Sequence, residues 1–154
     1  MTTTTDQQLD RLGELLDRAD ITDLIDRFLR GLDERTLDLD WGRSMFADDV
    51  QVVFPIGEET GLDAVVGALA TGMARFGPTQ HLGANHVIDL HGDRATVRWN
   101  ATQTHLPPDS TPFAEPFVSG GYYDGEVVRT GHGWRLRRIE YHIVWLAGEP
   151  PLST

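Results

Sequence analysis

Residues 21–33, ITDLIDRFLRGLD, show the clearest periodic pattern in the sequence. Apolar residues recur there at i, i+3, i+4, i+7, i+8 and i+11, namely Ile21, Leu24, Ile25, Phe28, Leu29 and Leu32. This spacing predicts an amphipathic helix with one buried face. Asp33 directly follows the last apolar residue. We therefore expect its carboxylate at the edge of the buried face, near the end of the helix.

The flanking sequence predicts four further elements before residue 77. Leucines at helical spacing over residues 9–17 indicate an earlier helix, with Asp20 as the N-cap of the helix that follows. Residues 37–46 predict a second short helix, and residues 50–54 a short strand that Pro55 ends. Residues 62–76 predict a third helix. The first half of the chain is thus mainly helical.

The second half has a period of two, which is typical of strands. Four long β-type segments cover residues 80–90, 95–106, 117–129 and 134–146. Tight turns at residues 91–93 and 131–133 join them in pairs. A change of apolar parity at Arg137-Arg138 and the pair Gly120-Gly121 both predict bulges. Bulged strands in a long meander predict a strongly curved sheet.

This element order predicts an α+β fold. Helices should close the concave face of a cone-shaped, curved antiparallel or mixed sheet, and so leave an internal pocket for a small apolar ligand. The length, 154 residues, fits one domain over residues 1–154, with a core at about 19–146.

Composition excludes several classes of function. The formal net charge of −11 argues against nucleic acid and anionic membranes as partners. The chain has no cysteine, so it has no disulfide, thiolate nucleophile or cysteine metal site. Residues 1–8 lack the pattern of a secretory signal, and no apolar run is long enough to span a membrane. We therefore expect a cytoplasmic protein.

Three polar residues lie at the ends of otherwise apolar elements: Asp33, His81 and His105. His81 opens the first long strand, and His105 ends the apolar face of the second. Taken singly, each has a structural explanation, as a solvated helix-end carboxylate or a hydrogen-bonded histidine. Taken together, two imidazoles and a carboxylate can accept, donate and relay a proton near neutral pH.

Other residues are weaker candidates. His86 and His91 follow His81 at steps of five, which do not place three ligands on one face of regular structure, so we expect no metal site. One of Tyr122 and Tyr123 must face inward from a regular strand, to pack or to polarise a carbonyl. The large aromatic residues are mostly core residues, and some are candidates for lining a pocket for a flat ring.

The chain resembles the SnoaL-like group of the nuclear transport factor 2-like superfamily over about residues 19–146. The resemblance rests on five segments: LDER at 32–35, FADDV at 46–50, PTQH at 78–81, GGYYDGEVVR at 120–129 and GWRL at 133–136. It implies a cone-shaped α+β barrel with a deep pocket, usually in an oligomer, so a homodimer or homotrimer is expected.

Within that superfamily, the pattern is similar to scytalone dehydratase. The resemblance implies that Asp33 holds His105 and that His81 and His105 move protons, with no cofactor. That enzyme has two tyrosines that hold a water molecule on the substrate carbonyl. The matching positions here are Leu32 and Phe54, which cannot activate a carbonyl in this way. The expected substrate-pocket residues are Phe28, Leu32, Phe54, Trp99, Tyr122 and Tyr123.

Three functions fit the sequence. The first is a cofactor-independent acid/base enzyme, a lyase or isomerase of the dehydratase or cyclase type. Its substrate would be a small hydrophobic, ring-containing polyketide or related secondary metabolite. The second is a non-catalytic module that binds a small apolar ligand, which the apolar Leu32 and Phe54 favour. The third is an interaction domain, which the polar outer strand face disfavours.

Overall fold

A computed structural model describes residues 3–150 of the chain. These residues form three helices, α1 (Thr4–Glu34), α2 (Leu39–Met45) and α3 (Leu62–Met73). The strands are β1 (Phe46–Phe54), β2 (Gly57–Thr60), β3 (Thr79–His91), β4 (Arg94–His105), β5 (Phe117–Thr130) and β6 (Gly133–Ala147). No helix in residues 3–150 is long and apolar enough to cross a membrane.

The six strands form one open, mixed sheet in the order β2-β1-β6-β5-β4-β3. The β1–β6 pair is parallel, and every other neighbouring pair is antiparallel. This confirms the predicted α+β cone of helices and a curved sheet. The four long strands lie close to their predicted bounds, because their alternation and hairpin turns are local signals.

The first helix differs from the prediction. Residues 9–17 and 21–32 belong to one continuous helix of 31 residues, which Thr3 caps through a capping box with Asp6. Asp20 lies inside this helix, so its prediction as an N-cap was wrong. No proline or helix-ending glycine separates the two apolar patterns, and the helix therefore continues through Asp20.

The strand register shifts at the two places where bulges were predicted, at one place in β3, and between Phe46 and Gln51 in the β1–β6 pair. The β5–β6 register shifts between Gly120 and Gly121, where Val144 of β6 is the extra residue, and again at Arg137. A further shift in β3 has Asn85 at φ 58°, in the left-handed region. Asparagine tolerates this conformation better than most residues, but the sequence pattern had not indicated it. The short edge strand β2 was also not predicted.

The core lies between α1 and the concave face of the sheet. The predicted apolar face of α1 is buried, from Ile21 to Leu32. The inner face of β4 alternates as predicted, with Trp99 fully buried. At the end of that face the core becomes polar, because His81 and His105 are both buried there.

Candidate active site

Asp33 joins the end of α1 to the start of β3. Its Oδ1 lies 2.6 Å from Nδ1 of His81 and accepts a hydrogen bond from the Thr79 hydroxyl at 2.9 Å. Its Oδ2 accepts from the His81 backbone N–H at 2.9 Å. A carboxylate has only acceptors, so the His81 ring donates from Nδ1, and its Nε2 is left as a free base.

The carboxylate holds His81, and the expectation that it holds His105 was wrong. Thr79 and His81 are two residues apart on β3 and share the inward face, so both side chains reach the end of α1. His105 lies on β4, one strand further away, where its register partner is Thr79. Thr79 is the residue that sequence analysis missed, although its parity with His81 could have indicated it.

The two histidine rings meet directly. The His81 and His105 ring centroids are 5.2 Å apart, with the rings perpendicular. Side-chain packing holds His105 through Phe76, at 4.3 Å between centroids, and Phe117, at 5.9 Å. Nδ1 of His105 is buried and makes no well-formed hydrogen bond within residues 3–150, although the Phe117 backbone lies beside the ring. The hydrogen-bonding capacity of this buried ring nitrogen is therefore not fully used by the described residues.

Burial keeps both imidazoles neutral near pH 7. It lowers the pKa of His105 to about 4, with a further lowering from His81. It also lowers the pKa of His81, against the opposing effect of the Asp33 carboxylate. Two neutral imidazoles can accept a proton and donate a hydrogen bond, but they supply no ready imidazolium.

Arg35 fixes the chain segment that packs against His105. It lies just after α1 with φ 59°, and its guanidinium donates to the backbone oxygens of Met73, Phe76 and Gly77. These bonds hold the chain that follows α3, and so hold Phe76 against His105. The positive charge of Arg35 also lowers the pKa of both histidines.

A row of polar groups continues the inner face beyond the histidines. Gln103 Nε2 donates to the Tyr123 hydroxyl at 2.6 Å, and Ser119 Oγ lies 2.8 Å from the Tyr141 hydroxyl. Burial raises the pKa of both tyrosines, so they are neutral donors. A Cβ on Gly121 would clash with the His142 backbone oxygen and would lie 2.9 Å from the Tyr141 hydroxyl, so glycine allows both groups to approach β5. These groups could orient a polar ligand.

The structure separates the two adjacent tyrosines. Tyr123 is buried and stacks on Trp99 at 4.7 Å between centroids. Tyr122 lies on the outer face, where it stacks on His142 and the Arg98 guanidinium lies 4.4 Å from its ring centre. Its expected place in the pocket is therefore corrected, because successive strand residues face opposite sides of the sheet.

The other expected pocket residues belong to the core beside the site. Phe28 and Leu32 are buried in the apolar face of α1. Phe54 is half-buried and meets the Tyr123 ring at 6.5 Å between centroids. One surface cavity of about 420 Å³ lies on the sheet beside Arg98 and Asp124, and another of about 290 Å³ lies between α1 and α2 beside Trp41. Neither is lined by Asp33, His81 or His105. The internal pocket and its lining therefore stay predictions.

Comparison with known proteins supports the fold and the family. The SnoaL-like domain family matches residues 13–140. No curated protein matches the chain. Among solved structures, the Kfla4162 protein from Kribbella flavida has 27% identity and a TM-score of 0.79, covering 87% of this chain and 95% of its own.

Two further structures have names that refer to an activity. A proposed scytalone dehydratase from Novosphingobium aromaticivorans has 23% identity and a TM-score of 0.77, covering 87% of this chain and 88% of its own. The hexachlorocyclohexane dehydrochlorinase LinA-type3 from Novosphingobium barchaimii has 20% identity and a TM-score of 0.74, covering 91% and 92%. At these identities the likeness shows the fold alone. The match over residues 13–140 shows that this chain belongs to the SnoaL-like domain family.

Proposed function

We propose that this protein is a cofactor-independent acid/base enzyme of the lyase or isomerase type. The observation that supports this is the Asp33–His81 pair, 2.6 Å apart and largely buried, beside the second imidazole of His105. A carboxylate that fixes the tautomer of an imidazole is a recurrent arrangement for a general base.

The chemistry assigns a separate role to each histidine. His81 Nε2 removes a proton from a carbon atom next to a carbonyl or similar group, and that C–H electron pair forms the new double bond. The imidazolium formed is stabilised by Asp33, and it returns the proton to a leaving hydroxide or to another carbon atom. His105 remains neutral and donates a hydrogen bond to the oxygen that gains negative charge.

The site favours a small, ring-containing, mainly apolar substrate. Phe76 and Phe117 flank His105, and Tyr123 presents a neutral hydroxyl nearby along the inner face. Tyr123 is a candidate for the donor that Leu32 and Phe54 do not supply. Related structures are named as a dehydratase and a dehydrochlorinase, which supports elimination chemistry. A polyketide or similar secondary metabolite is the proposed substrate class.

The first test measures proton removal directly. A panel of small cyclic ketones with a β-hydroxyl or β-chloride is incubated with protein in D₂O, and NMR follows C–H exchange and elimination. We expect Asp33→Asn and His81→Gln each to lower the rate by about 10²–10⁴-fold. Asp33→Asn should also move the acidic limb of the pH–rate profile to lower pH, because the carboxylate raises the pKa of His81.

A matched control separates chemistry from folding. Asp49 is an exposed carboxylate that pairs with Arg137 on β6, away from the histidines, so Asp49→Asn makes the same change elsewhere. It should leave rate and pH profile unchanged. Wild-type rates in both Asp33→Asn and His81→Gln would contradict the proposal.

The second candidate function is ligand binding without catalysis. The specific observation in its favour is that Leu32 and Phe54 make the neighbourhood of the site apolar. This function would show as saturable binding of the same ketones with no deuterium exchange and no elimination. The expected homodimer or homotrimer stays a prediction under either function.

A further inference from the structure

The first half of α1 extends beyond the core and has its own apolar face. Four leucines there, Leu9, Leu12, Leu15 and Leu16, are 52–62% exposed. We call them the leucine face. The helix residues buried in the core begin only at Ile21. The leucine face is therefore not covered by any residue from 3 to 150.

The leucine face points away from the protein's own core. At about 100° per residue, these leucines lie about half a turn around the helix from the buried face that begins at Ile21. On the core side, the same part of the helix has Gln7, Asp10 and Glu14. Asp17 then binds Arg129 at 2.7 Å and anchors the helix to β5. This ion pair holds the helix with the leucine face turned away from the core.

Three of the four leucines also belong to a heptad pattern. Thr5, Leu9, Leu12, Leu16 and Ala19 follow one another at steps of 4, 3, 4 and 3 residues. This spacing forms a helix-to-helix seam about 21 Å long, and it contains no charged residue. The segment continues a helix that is already packed against the core from Ile21 onward, and Gly13 lowers its helix propensity. A partner packed on the leucine face would stabilise the segment further.

We propose that the leucine face binds the leucine face of a second copy of this chain, as an antiparallel helix pair. When the two uncharged seams are aligned in opposite directions, Leu12 meets Leu16 of the second copy, and Leu9 meets Ala19 of the second copy. The seam side chains of one helix thus pack between the seam side chains of the other, as in an antiparallel coiled coil. The proposal is independent of the proposed function.

Charge selects the antiparallel direction. The seam positions after Ala19 are Asp23 and Asp26, which a parallel pair would place against the same residues of the other copy. In the antiparallel register, Asp23 lies beside Thr5 of the second copy, in the first turn of its helix. Carboxylates are favoured at that end of a helix. Asp6 of one copy approaches Asp20 of the other at the solvent-exposed edge of the helix pair, where salt and water weaken the repulsion between the two carboxylates.

The charges of this segment argue against an anionic membrane surface as the occupant, whereas a second copy presents an uncharged seam of the same length. The segment around the leucine face has four acidic side chains, at positions 6, 10, 14 and 17, against the two cations Arg11 and Arg18. Helices that lie on anionic membranes have mainly Lys and Arg on their polar face. An acidic segment on a chain of net charge −11 is repelled there.

Sedimentation equilibrium on the full chain provides the first test. We expect Leu12→Glu to halve the molecular mass of the assembly, because each helix pair would bury two carboxylates. Gln7→Glu adds the same charge on the opposite side of the helix and should leave the mass unchanged. Circular dichroism verifies that both variants stay folded. A monomeric wild-type protein, or a Leu12→Glu assembly of unchanged mass, would overturn the proposal.

Disulfide trapping tests the direction, because the chain has no cysteine of its own. Leu12→Cys and Leu16→Cys are made separately, with an affinity tag on one, then mixed and oxidised. The antiparallel register predicts a disulfide between the two variants and little within each, since disulfides need Cα atoms within about 7 Å. Disulfides within each variant, or none in the mixture, would count against this pairing.

Discussion

Asp33 shows how one side chain can connect two elements and define a site. It accepts three hydrogen bonds, all from β3, although it lies in the last turn of α1. A carboxylate at a helix C-terminus gains nothing from the helix dipole. The hydrogen bonds from Thr79 and His81 compensate for that unfavourable position, which is consistent with a role in orienting the imidazole.

His105 makes the stability of the protein depend on pH. The unfolded chain has a histidine pKa near 6.5, while burial lowers it to about 4 in the fold. Between these values the unfolded state binds more protons, so stability falls as pH decreases from about 6.5 to about 4. We expect a loss on the order of 3 kcal/mol in the free energy of unfolding.

Chemical denaturation at a series of pH values measures this loss. His105→Leu, which has a similar volume and no proton to gain, should reduce the slope over that interval. The exposed His132 in the β5–β6 turn provides the control, since His132→Leu should keep the wild-type slope. An unchanged slope in His105→Leu would show that another group is responsible.

At the scale of the element, α1 contains two glycines in opposite surroundings. A Cβ on Gly31 would clash with the indole of Trp41 on α2, whereas a Cβ on Gly13 would meet nothing within 4 Å. The helix is thus close to α2 at one end and free of its own core at the other. Gly31 is needed for the approach of α2, and Gly13 has no such packing role within the described chain.

The two glycines give a matched pair of substitutions. Gly13→Ala should stabilise the protein by about 0.5–1 kcal/mol, because alanine is the better helix former. Gly31→Ala gains the same propensity but overpacks the Trp41 contact, and should destabilise by about 1–3 kcal/mol. Thermal unfolding at a fixed protein concentration measures both. Equal shifts of the same sign would contradict the packing argument.

At the scale of the whole molecule, the sheet is stabilised by many tertiary contacts and the first half of α1 by few. β4 and β5 are paired on both sides and buried against α1, while the segment before Asp17 is exposed along its length. In the proposed helix pair, that segment is stabilised only when a second copy is present. Its backbone protection should therefore depend on association.

Amide hydrogen exchange measures that dependence. Residues 5–16 should exchange faster in Leu12→Glu than in the wild-type protein, while β4 and β5 exchange equally slowly in both. Gln7→Glu should resemble the wild type throughout. Equal exchange of residues 5–16 in the two proteins would mean that association does not protect this helix.

Much of the fold was predictable because its signals are local. The spacing of apolar residues over 21–32 indicated the buried face of α1, and strict alternation indicated the inner face of β4. The strand-end positions of His81 and His105 followed from the same patterns. The break at Asp20 was wrong because a capping residue type was given more weight than the absence of a helix breaker.

The sequence alone determined the class of fold and the family, and it identified the three residues that the structure brings together. Tertiary structure decided that Asp33 holds His81 and that Tyr123 faces inward while Tyr122 does not. The reason is physical. Periodicity assigns a residue to a face, but contact between residues 48 positions apart depends on strand register and on where α1 crosses the sheet.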